Sequence, residues 1–126
     1  MPSSEGPRRP QHIRNLELIK DAAALITLTD EVQRFLDVYE EENERDAKEA
    51  EQTGDSEEAV RHRDAFINAN ERVREARELQ EELAVMSSAE RRDPGVGFLQ
   101  SLRATHDALT KALQDARDLF PGGGDV

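Results

Sequence analysis

The chain has 126 residues, of which 28 are acidic and 17 are Lys or Arg, and its formal net charge is −11. Its basic residues are mixed with acidic ones, which disfavours nucleic-acid binding, because that function needs clustered positive charge to displace phosphate counterions. Cys is absent, which excludes disulfides, thiolate metal sites and Cys nucleophiles. The longest apolar run, Ala22 to Ile26, is too short for a signal peptide or a membrane span. We therefore expect one cytoplasmic domain that does not contact membranes.

The first ten residues contain three prolines and no periodicity, so residues 1–10 are predicted to be a disordered leader. The first helix is predicted from Gln11 to Gln52, because apolar residues recur there at steps of 3 and 4. This seam consists of Leu18, Ala22, Leu25, Leu28, Val32, Phe35 or Leu36, and Tyr39. Gly54 suits the left-handed conformation that follows a helix, and Asp55 with Glu58 fits a capping box for the next one.

The second helix is predicted from Ser56 to Met86, with a seam of Phe66, Ala69, Val73, Ala76, Leu79, Leu83 and Met86. Ser87 with Glu90 forms another possible capping box, which indicates a short helical turn over residues 87–93. Asp93 can cap the last helix, predicted from Pro94 to Phe120, and Pro94 suits its first turn. Its seam is Leu99, Leu102, His106, Leu109, Leu113, Ala116 and Phe120. The tail, residues 121–126, is predicted to fray.

Short links make successive helices antiparallel, so the seams can be tested against one another. Facing residues have numbers that add to about 109 for the first two helices and about 185 for the last two. Leu25 then faces Leu83, and Phe66 faces Phe120, and nearly every layer is apolar on both sides. The sequence predicts an all-α domain over residues 11–120, an antiparallel three-helix bundle with up-down-up topology.

The first helix is apolar nearly all round from Leu16 to Leu28, although two neighbouring helices cover only one side. We expect a second copy of the chain to cover the other side, which makes the protein a homodimer. The alternative is that Thr29 and Asp30 cap a new helix, so that four shorter helices bury this side internally. The residues predicted to mediate self-association are Leu16, Ile19, Ala23 and Ile26.

Residues 40–58 contain ten acidic residues against Arg45 and Lys48, a net charge of −8. The core positions of this segment are occupied only by the small residues Ala47 and Ala50. Residues 40–58 are therefore predicted to form a helical hairpin, the tip, which projects about 20 Å beyond the layer of Tyr39 and Phe66. The basic residues among 61–63 are expected to screen it. The tip is either a solvated hairpin or an acidic arm that docks on a basic protein surface. The candidate partner-binding residues are Glu40, Glu41, Glu42, Glu44, Asp46 and Glu49.

The seam places His106 in the core beside Leu79 and Leu28, where it needs a hydrogen-bond partner such as Gln80. It either sets the register of the helices or makes one layer sensitive to pH. His62 lies four residues after Glu58, which suggests at most weak chelation, and no Glu-x-x-His pair is present. We expect no metal, no cofactor and no enzymatic activity.

The segment Leu25-Ile26-Thr27-Leu28-Thr29-Asp30-Glu31-Val32, the charged middle of the chain and the closing helix from Val96 to Leu119 resemble the small helical YlbF/YmcA-type regulators of bacteria. The similarity spans residues 16–120. It implies a non-enzymatic, self-associating adapter that acts through protein complexes.

These observations favour a protein–protein interaction module, an adapter or regulator that works through helix–helix contacts. The alternative is a small acidic chaperone that shields an apolar helix of a client protein in the groove around residues 16–28. An adapter dimer keeps its mass on dilution, whereas a chaperone dissociates or exchanges when its client arrives.

Overall fold

The computed structural model describes residues 11–121, with side chains from Arg14 onward, and it contains four helices and no strand in that range. They are α1 (Gln11–Gln52), α2 (Ser56–Ala84), α3 (Ser88–Arg92) and α4 (Val96–Arg117). The all-α prediction is confirmed, and the bounds of α1 are those predicted. The predicted leader, residues 1–10, and residues 122–126 of the predicted tail lie outside the described residues. None of the described helices has a segment long and apolar enough to cross a bilayer.

The three long helices share one apolar core, and α3 packs against the beginning of α1. Gln80 of α2 donates to Thr29 of α1 at 3.1 Å, a pair that fits the predicted register. Asn43, later in α1, donates to the carbonyl of His62, earlier in α2, so these helices run in opposite directions. Arg103 and Arg117 of α4 bind Asp21 and Glu31 of α1, at 2.7 and 2.9 Å, so α4 runs in the same direction as α1. The largest fully buried side chains are Phe35, Leu25, Leu102, Leu109 and Val32.

Local capping explains where the chain turns. Gly54 has a φ of 86°, as expected for a left-handed residue after a helix, and the Asp55 carboxylate accepts the backbone N–H of Glu58 at 3.1 Å. Ser87 and Glu90 form the predicted reciprocal capping box, with bonds of 2.7 and 3.2 Å. Both predicted helix starts are confirmed, but only one bond of the capping box predicted at Asp55 forms, because the Glu58 carboxylate binds Arg61 instead.

The predicted cap of the last helix is wrong. Gly95, which makes no side-chain cap bond, precedes α4, and Pro94 lies outside the helix. Asp93 instead accepts a hydrogen bond from Nε of the buried Arg14 at 2.9 Å. The Asp93 carboxylate therefore forms an ion pair with a distant residue and does not cap the beginning of α4, contrary to the prediction from the local sequence.

The predicted alternative of a helix break at Thr29 is also wrong, because α1 continues through it without interruption. The Thr29 hydroxyl donates to the carbonyl of Leu25 at 2.6 Å and accepts from Gln80, and the residue is only 1% exposed. A Thr that bonds back to the preceding turn satisfies its hydroxyl within a helix and does not need to cap one. The second apolar side of α1 is therefore not buried by a break in the helix.

Candidate interaction surfaces

The apolar stripe on α1, which we call the basal surface, consists of Leu16, Ile19, Ala23 and Ile26. All four residues are exposed; the exposed fractions of Leu16, Ile19 and Ile26 are 61%, 60% and 44%. Steps of 3, 4 and 3 place them along one line of the helix. This line lies away from the core-facing seam that begins with Leu18.

The basal surface is left open because α4 covers the opposite flank of α1. Arg103 bridges Glu17 at 3.2 Å and Asp21 at 2.7 Å, which fixes α4 on that flank. The last turn of α2 and the short helix α3 lie near the beginning of α1. The Asn15 amide donates to the carbonyl of Arg91 at 2.7 Å, and the Arg91 guanidinium donates to the carbonyl of Leu83 at 2.9 Å. Two further exposed apolar residues lie at this end, Val85 and Val96. Of the eight exposed large apolar residues in the described range, five therefore lie in this half of the molecule; the other three are Val38, Val60 and Ile67.

The opposite end narrows from three helices to two. Tyr39 stacks on Phe120 at 4.9 Å and contacts Phe35 at 4.6 Å, and Phe66 completes this aromatic layer. Only α1 and α2 continue beyond it. Ala47, Ala50 and Ala59 form a separate small cluster there, which confirms the predicted alanine positions of the tip.

A buried polar contact joins the tip to the bundle. Asn43 and His62 are each 4% exposed. The amide nitrogen of Asn43 donates a hydrogen bond to the backbone carbonyl of His62 at 3.0 Å. The amide oxygen of Asn43, which can only accept a hydrogen bond, lies 2.8 Å from Nδ1 of the His62 ring. Nε2 lies 3.2 Å from the Glu58 carboxylate, and the ring meets Phe120 edge-on at 5.8 Å. This contact locks the two tip helices together.

Sequence reasoning missed Asn43, and it considered His62 only for weak chelation with Glu58, with no metal expected, and for screening of the tip. A signal was present, because Asn43 continues the steps of 3 and 4 in the seam of α1, from Leu36 and Tyr39 to Ala47. A buried Asn in a seam is a register-setting residue in helical assemblies.

Arg63 links the two arms of the tip. Its guanidinium binds the Glu44 carboxylate at 2.8 Å and the Glu51 carboxylate at 2.7 Å. Hydrogen bonds from Arg63 lower the pKa of both carboxyls below the ordinary value of 4.5. The predicted screening across the hairpin is confirmed for Arg63, whereas Arg61 binds Glu58 of its own helix at 3.0 Å.

Five of the six predicted partner-binding residues form no ion pair within the described part of the chain; Glu44 is the sixth. They differ in exposure, since Glu42 and Asp46 are half-buried, while those on the open side are Glu40, Glu41 and Glu49. The tip therefore presents unneutralised negative charge to solvent.

His106 is half-buried at the edge of the core and not within it, contrary to the prediction. It lines a shallow recess that opens to solvent, together with Asp21, Ala24 and Arg103. The small side chain of Ala24 does not close the recess. Gln80, its expected partner, donates to Thr29 instead.

The described residues contain no group of three His or acidic side chains placed to hold a metal ion. Comparison of the chain with protein-family models, curated proteins and solved structures found no match. The resemblance to YlbF/YmcA-type regulators stays a prediction.

Proposed function

We propose that the protein is a non-enzymatic protein–protein interaction module, an adapter or regulator built as an up-down-up bundle of three long helices and acting as a homodimer. The observation that carries this proposal is the exposed basal surface. Burying one large aliphatic side chain contributes about 1.5–3 kcal/mol relative to leaving it in water. Three such side chains in one line on a single helix form the pattern that a partner helix covers.

The acidic tip is the second surface of the proposed adapter. It lies at the far end of α1, about 40 Å from the basal surface at 1.5 Å per residue. Its exposed carboxylates suit a basic protein surface, since a concentrated field of one sign steers an oppositely charged partner. Self-association at one end leaves this charged end free.

The experiment is sedimentation over a dilution series, with two matched double variants. Ile19→Gln with Ile26→Gln removes two apolar residues seven apart on α1. Val60→Gln with Ile67→Gln removes two residues of the same spacing on α2, with exposed fractions of 55% and 61%. We expect a dimer for the wild type and the α2 variant, and a helical monomer for the α1 variant. A wild type that is monomeric at every concentration would contradict the homodimer.

A pull-down from nuclease-treated lysate separates the adapter from the chaperone. For an adapter, a partner is still captured by the Ile19→Gln/Ile26→Gln variant and is lost when Glu40, Glu41 and Glu49 become Gln. For a chaperone that shields a client helix, the dependence is reversed, because the basal surface is then the binding site.

A further inference from the structure

The basal surface has an order of side-chain sizes that distinguishes two ways of pairing. Leu16, Ile19 and Ile26 are large, and Ala23 is small. We infer, on the basis of the homodimer proposed above, that two copies pair through antiparallel α1 helices that cross midway between Ile19 and Ala23. The occupant of each basal surface is then the basal surface of a second copy, related by a two-fold axis.

Antiparallel pairing about this point matches large with small in the two layers next to the axis. Ile19 faces the partner's Ala23 on both sides of the axis, and Leu16 faces the partner's Ile26. Facing helices pack densely when large and small residues alternate across the contact. Parallel pairing places Ala23 against the partner's Ala23, which leaves a gap, whereas every antiparallel layer contains at least one large side chain.

The charge distribution favours the same arrangement. Beyond Ile26 the same face of α1 is charged, with the exposed acidic residues Asp30, Asp37 and Glu41 against the exposed basic residues Arg34 and Lys48. Parallel helices in contact lie about 8–10 Å apart, so each of these carboxylates would face its own copy. That spacing is close to the screening length of physiological salt, about 8 Å, so the repulsion between two tips of net charge −8 persists.

Antiparallel pairing removes this repulsion. The overlap extends ten residues to each side of the crossing point, from residue 11 to residue 31, which is about 30 Å of helix. Asp37 and Glu41 lie outside it. Asp30 comes to lie beside the first turn of the partner's α1, a turn that carries no acidic residue of its own. A carboxylate is favourable there because the amino end of a helix is partly positive.

The test is energy transfer between labels on single Cys residues, which are unique because the chain has no Cys. Lys20→Cys lies beside the crossing point, and Gln52→Cys lies at the exposed end of α1. Donor-labelled and acceptor-labelled protein of one variant are mixed in urea and refolded together. In the antiparallel dimer the two copies of residue 20 are adjacent, whereas those of residue 52 are about 90 Å apart.

We expect strong transfer at residue 20 and none at residue 52. Transfer at residue 52, with or without transfer at residue 20, overturns the antiparallel arrangement and leaves the homodimer standing. Absence of transfer at both positions overturns the homodimer and the arrangement together. Adding Ile19→Gln and Ile26→Gln to Lys20→Cys is expected to abolish the transfer, and adding Val60→Gln and Ile67→Gln is expected to preserve it.

Discussion

Replacing Asn43 by Leu tests whether the buried contact with His62 holds the tip to the bundle. The substitution removes both hydrogen bonds of the Asn43 side chain. The ring Nδ1 of His62 then loses that partner inside the protein, whereas the His62 carbonyl lies within α2 and takes part in its helical hydrogen bonding. A buried polar group that loses its partner costs about 1–3 kcal/mol, so we expect a loss of that size in the free energy of unfolding. His62→Leu leaves the buried Asn43 oxygen without its ring partner, and it also removes the Nε2 contact with Glu58, whose carboxylate keeps its ion pair with Arg61. A loss of about 1–3 kcal/mol is expected.

The double variant Asn43→Leu/His62→Leu gives the decisive comparison. Because both polar side chains leave together, we expect it to be less than about 1 kcal/mol below the wild type, far from the sum of the single losses. The assay is urea unfolding followed by circular dichroism, with equal slopes required among the variants. Asn70→Leu is the control, since the exposed Asn70 bonds only within its own helix, and a change within about 0.5 kcal/mol is expected. Additive losses in the double variant would refute the reasoning.

Two further predictions use the same unfolding assay. Gly54→Ala should lower stability by about 1 kcal/mol through its positive φ alone, because a Cβ there meets no atom within 4 Å; Gly97→Ala, inside α4 and equally open, should raise it by about 0.5 kcal/mol, and equal effects would contradict the backbone explanation. Arg63→Gln should make the protein less sensitive to acid. The lowered pKa values of Glu44 and Glu51 contribute stability that is present above pH 4.5 and lost as the pH falls through the folded values, so the wild type should lose more than the variant across that range.

The parts of the fold that sequence predicted correctly depend on local signals. The spacing of apolar residues at steps of 3 and 4 predicts α1 and its bounds. The capping residues near Gly54 and Ser87 form hydrogen bonds with residues only three or four positions away in the sequence. The pairing of Thr29 with Gln80 follows the predicted register because short links leave antiparallel helices little freedom to slide.

The parts that sequence missed depend on distant contacts. Asp93 is a suitable capping residue by its position in the sequence, but its carboxylate binds Arg14, which lies 79 residues away in the chain. His62 is buried where its ring meets Phe120, which follows α4, and His106 is half-exposed in a recess lined by Asp21, Ala24 and Arg103. Neither fact is encoded in the periodicity of the helix that carries the histidine.

The excess of apolar residues on α1 predicts the basal surface, but it leaves open whether the surface is exposed or is buried by a break in the helix. Thr29 followed by Asp30 is a good cap by composition, and a break there would have buried the stripe. The hydrogen bonds of Thr29 with Leu25 and Gln80 keep its hydroxyl within a continuous helix, and the bond with Gln80 exists only in the folded chain.

The described residues form two separate apolar clusters, a large one in the bundle and a small one in the tip, so the two parts differ in how easily they open. The tip is held by three alanines, one Arg bridge and the Asn43–His62 contact, whereas the bundle is held by a layered core. Local opening is easiest where few apolar side chains are buried, so amide hydrogens of the tip should exchange before those of the bundle. A partner bound at the tip, as proposed above, would then rigidify mainly the two helices of the tip.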